Sequence, residues 1–135
     1  MRIAVVGTGY VGLVTGTCLA DMGNSVTCQD IDPQKIATLN SGNIPIYEPG
    51  LQELVQRNIR DERLFFTTDL EKALYQCDIC FIAVGTPPNE DGSADRTYVM
   101  AAAKAVATKM NKELTVVIKS TVPVGTGDML HGTMQ

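Results

Sequence analysis

Three glycines and an aspartate have the types and spacing to hold a pyrophosphate and the sugar beside it. The stretch "GTGYVG" sets Gly7, Gly9 and Gly12 in a G-x-G-x-x-G pattern directly after the apolar run "RIAVV". In such a loop the first glycine permits the tight turn and the second lets the backbone approach a pyrophosphate. The third lets the next helix pack closely on the strand. The free N–H groups at that helix's start, and its dipole, favour negative phosphates. Asp30 follows at close to the spacing, roughly 20 residues, of an acid that bonds ribose hydroxyls. A carboxylate there repels a 2′-phosphate, so the pattern predicts NAD rather than NADP. Lys35 is placed to reach the same ribose edge from the following helix. For Asp30 alone the competing reading is a strand-end cap, and Asp32 reads as the cap of the next helix.

A second set of polar residues stands where two later apolar runs end. "VGTPP" and "KSTVP" put Thr86 and Thr121 just beyond strands, with Ser120 beside the latter. Small hydroxyl groups there can bond phosphate, ribose or amide oxygens. They can equally be turn residues before proline, and spacing alone leaves both readings open. No nucleophile–base pair and no clearly placed carboxylate pair appears. Glu90, Asp91 and Asp95 read as a solvated loop, Asp95 as a further helix cap, and His131 as a surface residue of the last helix. Among the four cysteines, Cys18, Cys28, Cys77 and Cys80, the last two form "CDIC". If both lie on a strand they point to opposite faces. They read as buried small hydrophobes, and no metal site is predicted.

These residues need a scaffold, and the pattern of the chain supplies one. Strands are predicted at 2–7, 25–30, 63–69, 78–85 and 114–120, with 78–85 the most apolar and central. Helices are predicted at 11–22, 33–40, 51–59, 70–76 and 98–110, with a last one from Gly125 onward. Gly23-Asn24 and Ser41-Gly42 read as helix ends, Pro33 as a first-turn residue, and Thr68 or Asp69 as a cap. The segments 43–50 and 86–95 read as loops. Alternation of strand and helix predicts an α/β, Rossmann-type doubly wound parallel sheet in the order 3-2-1-4-5.

Composition narrows the class. A chain of 135 residues with 44% hydrophobic and 19% charged residues has the size and make-up of one globular domain. The formal charge of -4 and the lack of a basic cluster argue against nucleic acid. No run approaches the roughly 20 apolar residues of a membrane span, and the N-terminus does not read as a signal peptide. A cytoplasmic location is the default expectation.

Taken together, "RIAVVGTGYVGLVTGTCLADMGNSVTCQDID", "IPIYEPGL", "FTTDLEKAL", "FIAVGTPPNEDGSAD" and "KSTVPVGTG" resemble the amino-terminal NAD-binding domain of the UDP-glucose/GDP-mannose dehydrogenase family, the UDP-glucose 6-dehydrogenases above all. The resemblance covers nearly the whole chain, taken as one domain over 1–135. It implies NAD-dependent oxidation of a nucleotide sugar's C6 alcohol to a carboxylate, in two steps that use two NAD. It implies that the catalytic cysteine and the sugar-binding residues belong to a later domain. Gly7, Gly9, Tyr10, Val11, Gly12 and Asp30 would then be cofactor contacts, and so would Lys35, Gly85, Thr86, Pro87 and Thr121. Thr121 would also assist the reaction by helping to position water. On this resemblance the chain is a fragment lacking later strands, binds NAD without turnover, exposes a sheet edge prone to self-association, and comes from a homo-oligomer. GDP-mannose and UDP-N-acetylhexosamine oxidation are the nearest alternatives. A stand-alone nucleotide-sensing domain is the alternative of another class, distinguished by the turns after strands three and four.

Overall fold

The computed structural model describes residues 1–134; the last position of the predicted domain, Gln135, lies outside the described residues. Eleven elements alternate along the chain: β1 (Arg2–Val6), α1 (Tyr10–Asp21), β2 (Ser25–Gln29), α2 (Pro33–Asn40), α3 (Leu51–Arg60), β3 (Leu64–Thr67), α4 (Leu70–Leu74), β4 (Ile79–Ile82), α5 (Thr97–Lys109), β5 (Thr115–Ile118) and α6 (Thr126–Met134). The strands form a five-stranded sheet in the order β3-β2-β1-β4-β5, every pairing parallel. This is the doubly wound order that the alternation predicts. The middle position belongs to β1, with β4 inside the sheet beside it.

Successive residues of β1 serve opposite faces, as the pleat requires. Ile3 and Val5 join Val26, Cys28, Leu64 and Phe66 under Leu13, Leu39 and Val55 of α1, α2 and α3. Ala4 and Val6 join Cys80 under Ala73 and Leu74 of α4 and Val106 of α5. A third cluster, Ile82 with Val99, Ala103 and Leu130, fastens α5 and α6 to the β5 side. Both faces of the inner strands are therefore covered, which is why β1 and β4 are near-continuous apolar runs.

Local chemistry sets the element boundaries. Asp32 caps α2, its carboxylate accepting from the Gln34 N–H at 2.9 Å and the Lys35 N–H at 3.4 Å. Asp69, rather than Thr68, caps α4 in the same way through Glu71 and Lys72. Gly23 (φ 104°) and Gly42 (φ 87°) follow α1 and α2 in the left-handed region that glycine favours. Asp95 does not occupy the cap position of α5, which is Arg96, but its carboxylate accepts from the Thr97 N–H and hydroxyl.

Two further expectations change. The helix predicted over 70–76 ends at Leu74, and the chain turns through Gln76 at φ 54°. Cys77 precedes β4 instead of lying on it, so strand alternation does not separate it from Cys80; both are buried in the same cluster, with the Cys77 thiol donating to the Ile79 carbonyl at 2.9 Å. The segment 86–95 is a loop, as the sequence reads, with internal order of its own. It folds back on itself through a Pro88–Ala94 bridge, an Asn89 N–H to Ser93 carbonyl bond of 2.6 Å, and Asp91 accepting from the Ser93 N–H and hydroxyl.

Candidate functional site

The order of the sheet reverses between β1 and β4, and a crevice opens there beyond the carboxyl ends of the strands. Its volume is about 870 Å³. One wall is the glycine loop, another is the end of β2 with the start of α2, and the rest comes from β4, β5 and α5.

Each glycine of the loop has a distinct job. Gly7 sits at φ +105°, and a Cβ there would lie 2.7 Å from the Ala83 carbonyl oxygen. Its N–H donates to the Gln29 carbonyl at 2.7 Å, tying the loop to β2. Gly12 lies beneath the loop, where a Cβ would fall 1.9 Å from the Gly7 carbonyl oxygen. Gly9 is the opposite case. Its φ of −71° is ordinary, and a Cβ on it would meet no atom within 4 Å. Gly9 is also the N-cap of α1, and no side chain caps that helix. Unlike α2 and α4, α1 therefore turns a first turn without a carboxylate cap toward open space. Such an end suits an anion.

Asp30 is held on three bonds. Its Oδ2 accepts from the Thr8 N–H at 2.9 Å and the Thr8 hydroxyl at 2.7 Å, and its Oδ1 accepts from the Asp32 N–H at 3.0 Å. Burial pushes the Asp30 carboxyl up. The Thr8 hydroxyl, the N–H groups of Asp32 and Thr8, and the Lys35 charge outweigh it and hold the group below its ordinary value of 3.8. Tyr10, exposed at the start of α1, donates to Glu48 at 2.8 Å and so fastens the 43–50 loop to the edge of the glycine loop. On the far side, Ser120 joins the ends of β4 and β5, its hydroxyl donating to the Val84 carbonyl at 2.8 Å.

A cradle open at Gly9, an uncapped helix start and an acid at the end of β2 fit a dinucleotide. The model of a family described as "UDP-glucose/GDP-mannose dehydrogenase family, NAD binding domain" matches residues 1–135. The chain belongs to this family. The cofactor of the family's domain is NAD. The UDP-glucose 6-dehydrogenase TuaD of Bacillus subtilis is 55% identical over 134 residues, which is 99% of this chain and 29% of that protein. The structure of a UDP-glucose dehydrogenase from Pyrobaculum islandicum superposes with a TM-score of 0.91 at 43% identity, over 98% of this chain and 31% of that one. A ternary complex of GDP-mannose dehydrogenase from Pseudomonas aeruginosa gives 0.91 at 38% identity, over 96% and 30%. The chain thus spans less than a third of the length of these dehydrogenases.

Within this family's domain, the crevice brings together most of the residues picked from sequence. Gly7, Gly9, Tyr10, Val11, Asp30, Lys35, Gly85, Thr86 and Thr121 line it. Gly12 supports it from below. Pro87 is not on its wall; it stands at the base of the 86–95 hairpin, where its carbonyl accepts from the Asp95 N–H at 2.8 Å. His131 lies away from the crevice, on a separate groove along the outer edge of β5. Burial pushes the Cys28 and Cys80 thiols up to about 12, which keeps both in the unreactive thiol form.

Sequence reasoning passed over Thr8, Lys119 and the Ala101, Ala102 and Ala105 face of α5, all on the crevice wall. Small residues at helical spacing were the available signal for the last. Gly16 was also missed: a Cβ there would lie 2.6 Å from the Cys28 Sγ.

The Asp30 bonds imply a pH dependence whose sign is fixed. A carboxyl whose folded pKa is lowered adds stability that is complete above its unfolded value, and that is lost as pH falls through the folded one. The stability difference between wild type and Asp30→Asn is therefore expected to be flat at neutral pH and to change below about pH 3.8. Thermal melts across that range check it. A difference that stays constant into strong acid would mean that the Thr8 and Asp32 bonds do not discriminate between the charged and neutral forms.

Proposed function

We propose that this chain is the cofactor-holding part of a UDP-glucose 6-dehydrogenase that converts UDP-glucose to UDP-glucuronate in two NAD-dependent steps. The glycine loop, through Gly7, Gly9, Tyr10, Val11 and the uncapped start of α1, takes the pyrophosphate. Asp30 takes the adenosine ribose, with Lys35 beside it. Gly85, Thr86 and Thr121 take the nicotinamide half at the ends of β4 and β5, and Thr121 also assists in positioning water. Pro87 acts one step away, holding the turn that presents Thr86. NAD, once bound, accepts a hydride, and oxidation of a primary alcohol to a carboxylate releases two. What this chain contributes is orientation and charge: it anchors the two ends of the dinucleotide on different strands. It contributes no thiol to the chemistry, so the chain by itself is expected to bind NAD without turnover.

The open cradle at Gly9 carries the cofactor part of this reading. The choice of sugar rests on the 55% identity to a protein named for UDP-glucose. Likeness to a GDP-mannose enzyme keeps that sugar nucleotide as the second reading.

Calorimetric titration of the chain with NAD and then NADP tests the site. NAD is expected to bind and NADP to bind far more weakly, because the carboxylate of Asp30 faces the position of a 2′-phosphate. Asp30→Ala should weaken NAD by about tenfold, the worth of a charge-assisted hydrogen bond, and narrow the gap between the two cofactors. Equal preference in wild type and Asp30→Ala would transfer the ribose role away from Asp30. For the sugar, turnover of the whole enzyme with UDP-glucose against GDP-mannose decides; faster oxidation of GDP-mannose would replace the first reading with the second.

A further inference from the structure

Thr8 is one of three residues of the glycine loop, with Tyr10 and Val11, to which the G-x-G-x-x-G pattern assigns nothing. Its residue is fully buried, with 0% exposure, although it carries a hydroxyl. Both of its donors go to a single atom, the Asp30 Oδ2, at 2.9 Å from the N–H and 2.7 Å from the hydroxyl. An ionised carboxylate oxygen offers about two lone-pair sites, so Oδ2 is filled from within the protein. Oδ1 accepts one bond among the described residues, from the Asp32 N–H at 3.0 Å. One acceptor direction of Asp30 therefore remains, and Asp30 lines the crevice.

We infer that Thr8 is a positioning residue: its hydroxyl locks the Asp30 carboxylate so that Oδ1 alone is presented to a ribose diol in the crevice. The inference rests on the cofactor reading above. Any residue at position 8 supplies the backbone N–H, so the hydroxyl is the part that the sequence chooses. An aspartate carboxyl rotates over a broad, two-fold torsion, and two N–H bonds, from Thr8 to Oδ2 and from Asp32 to Oδ1, leave part of that freedom. A second bond to Oδ2 removes it before the ligand arrives. Ordering that is complete in the free protein is not charged against binding. The lock also joins the loop after β1 to the end of β2, the two walls between which an adenosine ribose would lie.

The test compares wild type, Thr8→Val and Thr8→Ser in this chain, with two readouts. One is calorimetric affinity for NAD. The other is the Asp30 carboxyl titration followed by NMR without any cofactor. Thr8→Val is close in shape but lacks the hydroxyl, and is expected to bind NAD about tenfold more weakly. Its Asp30 should titrate at higher pH than in wild type. Thr8→Ser, which keeps the hydroxyl, should restore both. In an Asp30→Ala background the Thr8→Val penalty should vanish, because the two residues act as one unit. Wild-type affinity in a folded Thr8→Val variant overturns the inference, and so does a penalty that persists undiminished without Asp30. If valine prevents folding, Thr8→Ala makes the same comparison. Should the wild-type chain fail to bind NAD, the cofactor reading fails by itself. The NMR arm then still decides the lock, an unmoved Asp30 titration in Thr8→Val counting against it.

Discussion

Gly9→Val is expected to leave the fold standing and to weaken dinucleotide binding about 100-fold. The two halves of that result have separate causes. Gly9 has backbone angles that any residue adopts, and a Cβ on it meets nothing within 4 Å. Valine is a poorer N-cap than glycine, which costs the helix on the order of 1 kcal/mol and a few degrees of melting temperature. The space the side chain enters, beside the start of α1, is the one that the proposed function gives to a pyrophosphate. Overlap there costs roughly 3 kcal/mol, or about 100-fold in affinity, unless the ligand finds another seat. Calorimetry with NAD, run beside a thermal melt, separates the two effects. Undiminished affinity in a folded variant would remove the phosphate cradle from Gly9.

Gly12→Ala should produce the reverse, a loss of the fold itself. The new Cβ would sit 1.9 Å from the Gly7 carbonyl oxygen and 2.9 Å from its carbon, both backbone atoms that cannot rotate aside. Alanine is the better helix former by about 1 kcal/mol, so propensity alone predicts stabilisation. Steric overlap decides otherwise, because relief requires α1 to lift from β1, where Leu13 is fully buried. Strain and lost packing of about 3 kcal/mol or more would consume much of the roughly 5–15 kcal/mol that holds a domain together. A urea titration reads this directly. A wild-type midpoint would show that the close approach of helix and strand is soft.

These two glycines also show what a sequence makes legible. Their motif announced a turn, a cradle and a close packing, and the alternation of strand and helix with that motif announced the order of the strands. The aspartates before α2 and α4 were readable for a local reason: a cap acts on residues two and three positions away. Thr8 was not readable, since its meaning is a bond to a residue on another strand. Gly16 was hidden likewise, its constraint being the Cys28 sulfur of β2. Cys77 and Cys80 are buried as their types suggested, but the face Cys77 takes was not legible, because it stands before β4 and not on it. Pro87 carried a family expectation of cofactor contact, and it stands off the crevice wall at the base of the 86–95 loop. Local rules transmit well through a sequence; pairings across the sheet do not.

The parallel sheet has a consequence for the order in which the molecule assembles. β1 comes before the other strands of this sheet, yet one of its two partners, β4, pairs with it across 76 positions, Ile3 against Ile79. The crevice takes Gly7 from one of these strands, Asp30 from β2 and Ala83 from the other. No local segment can form it early. Closing such distant pairs is the slow part of folding for chains of this kind. The binding site is accordingly a late product of folding, completed only when the middle of the sheet zips shut. A ligand that requires it would bind the finished molecule and none of its precursors, and would act as a clasp on the last step rather than a template for the first.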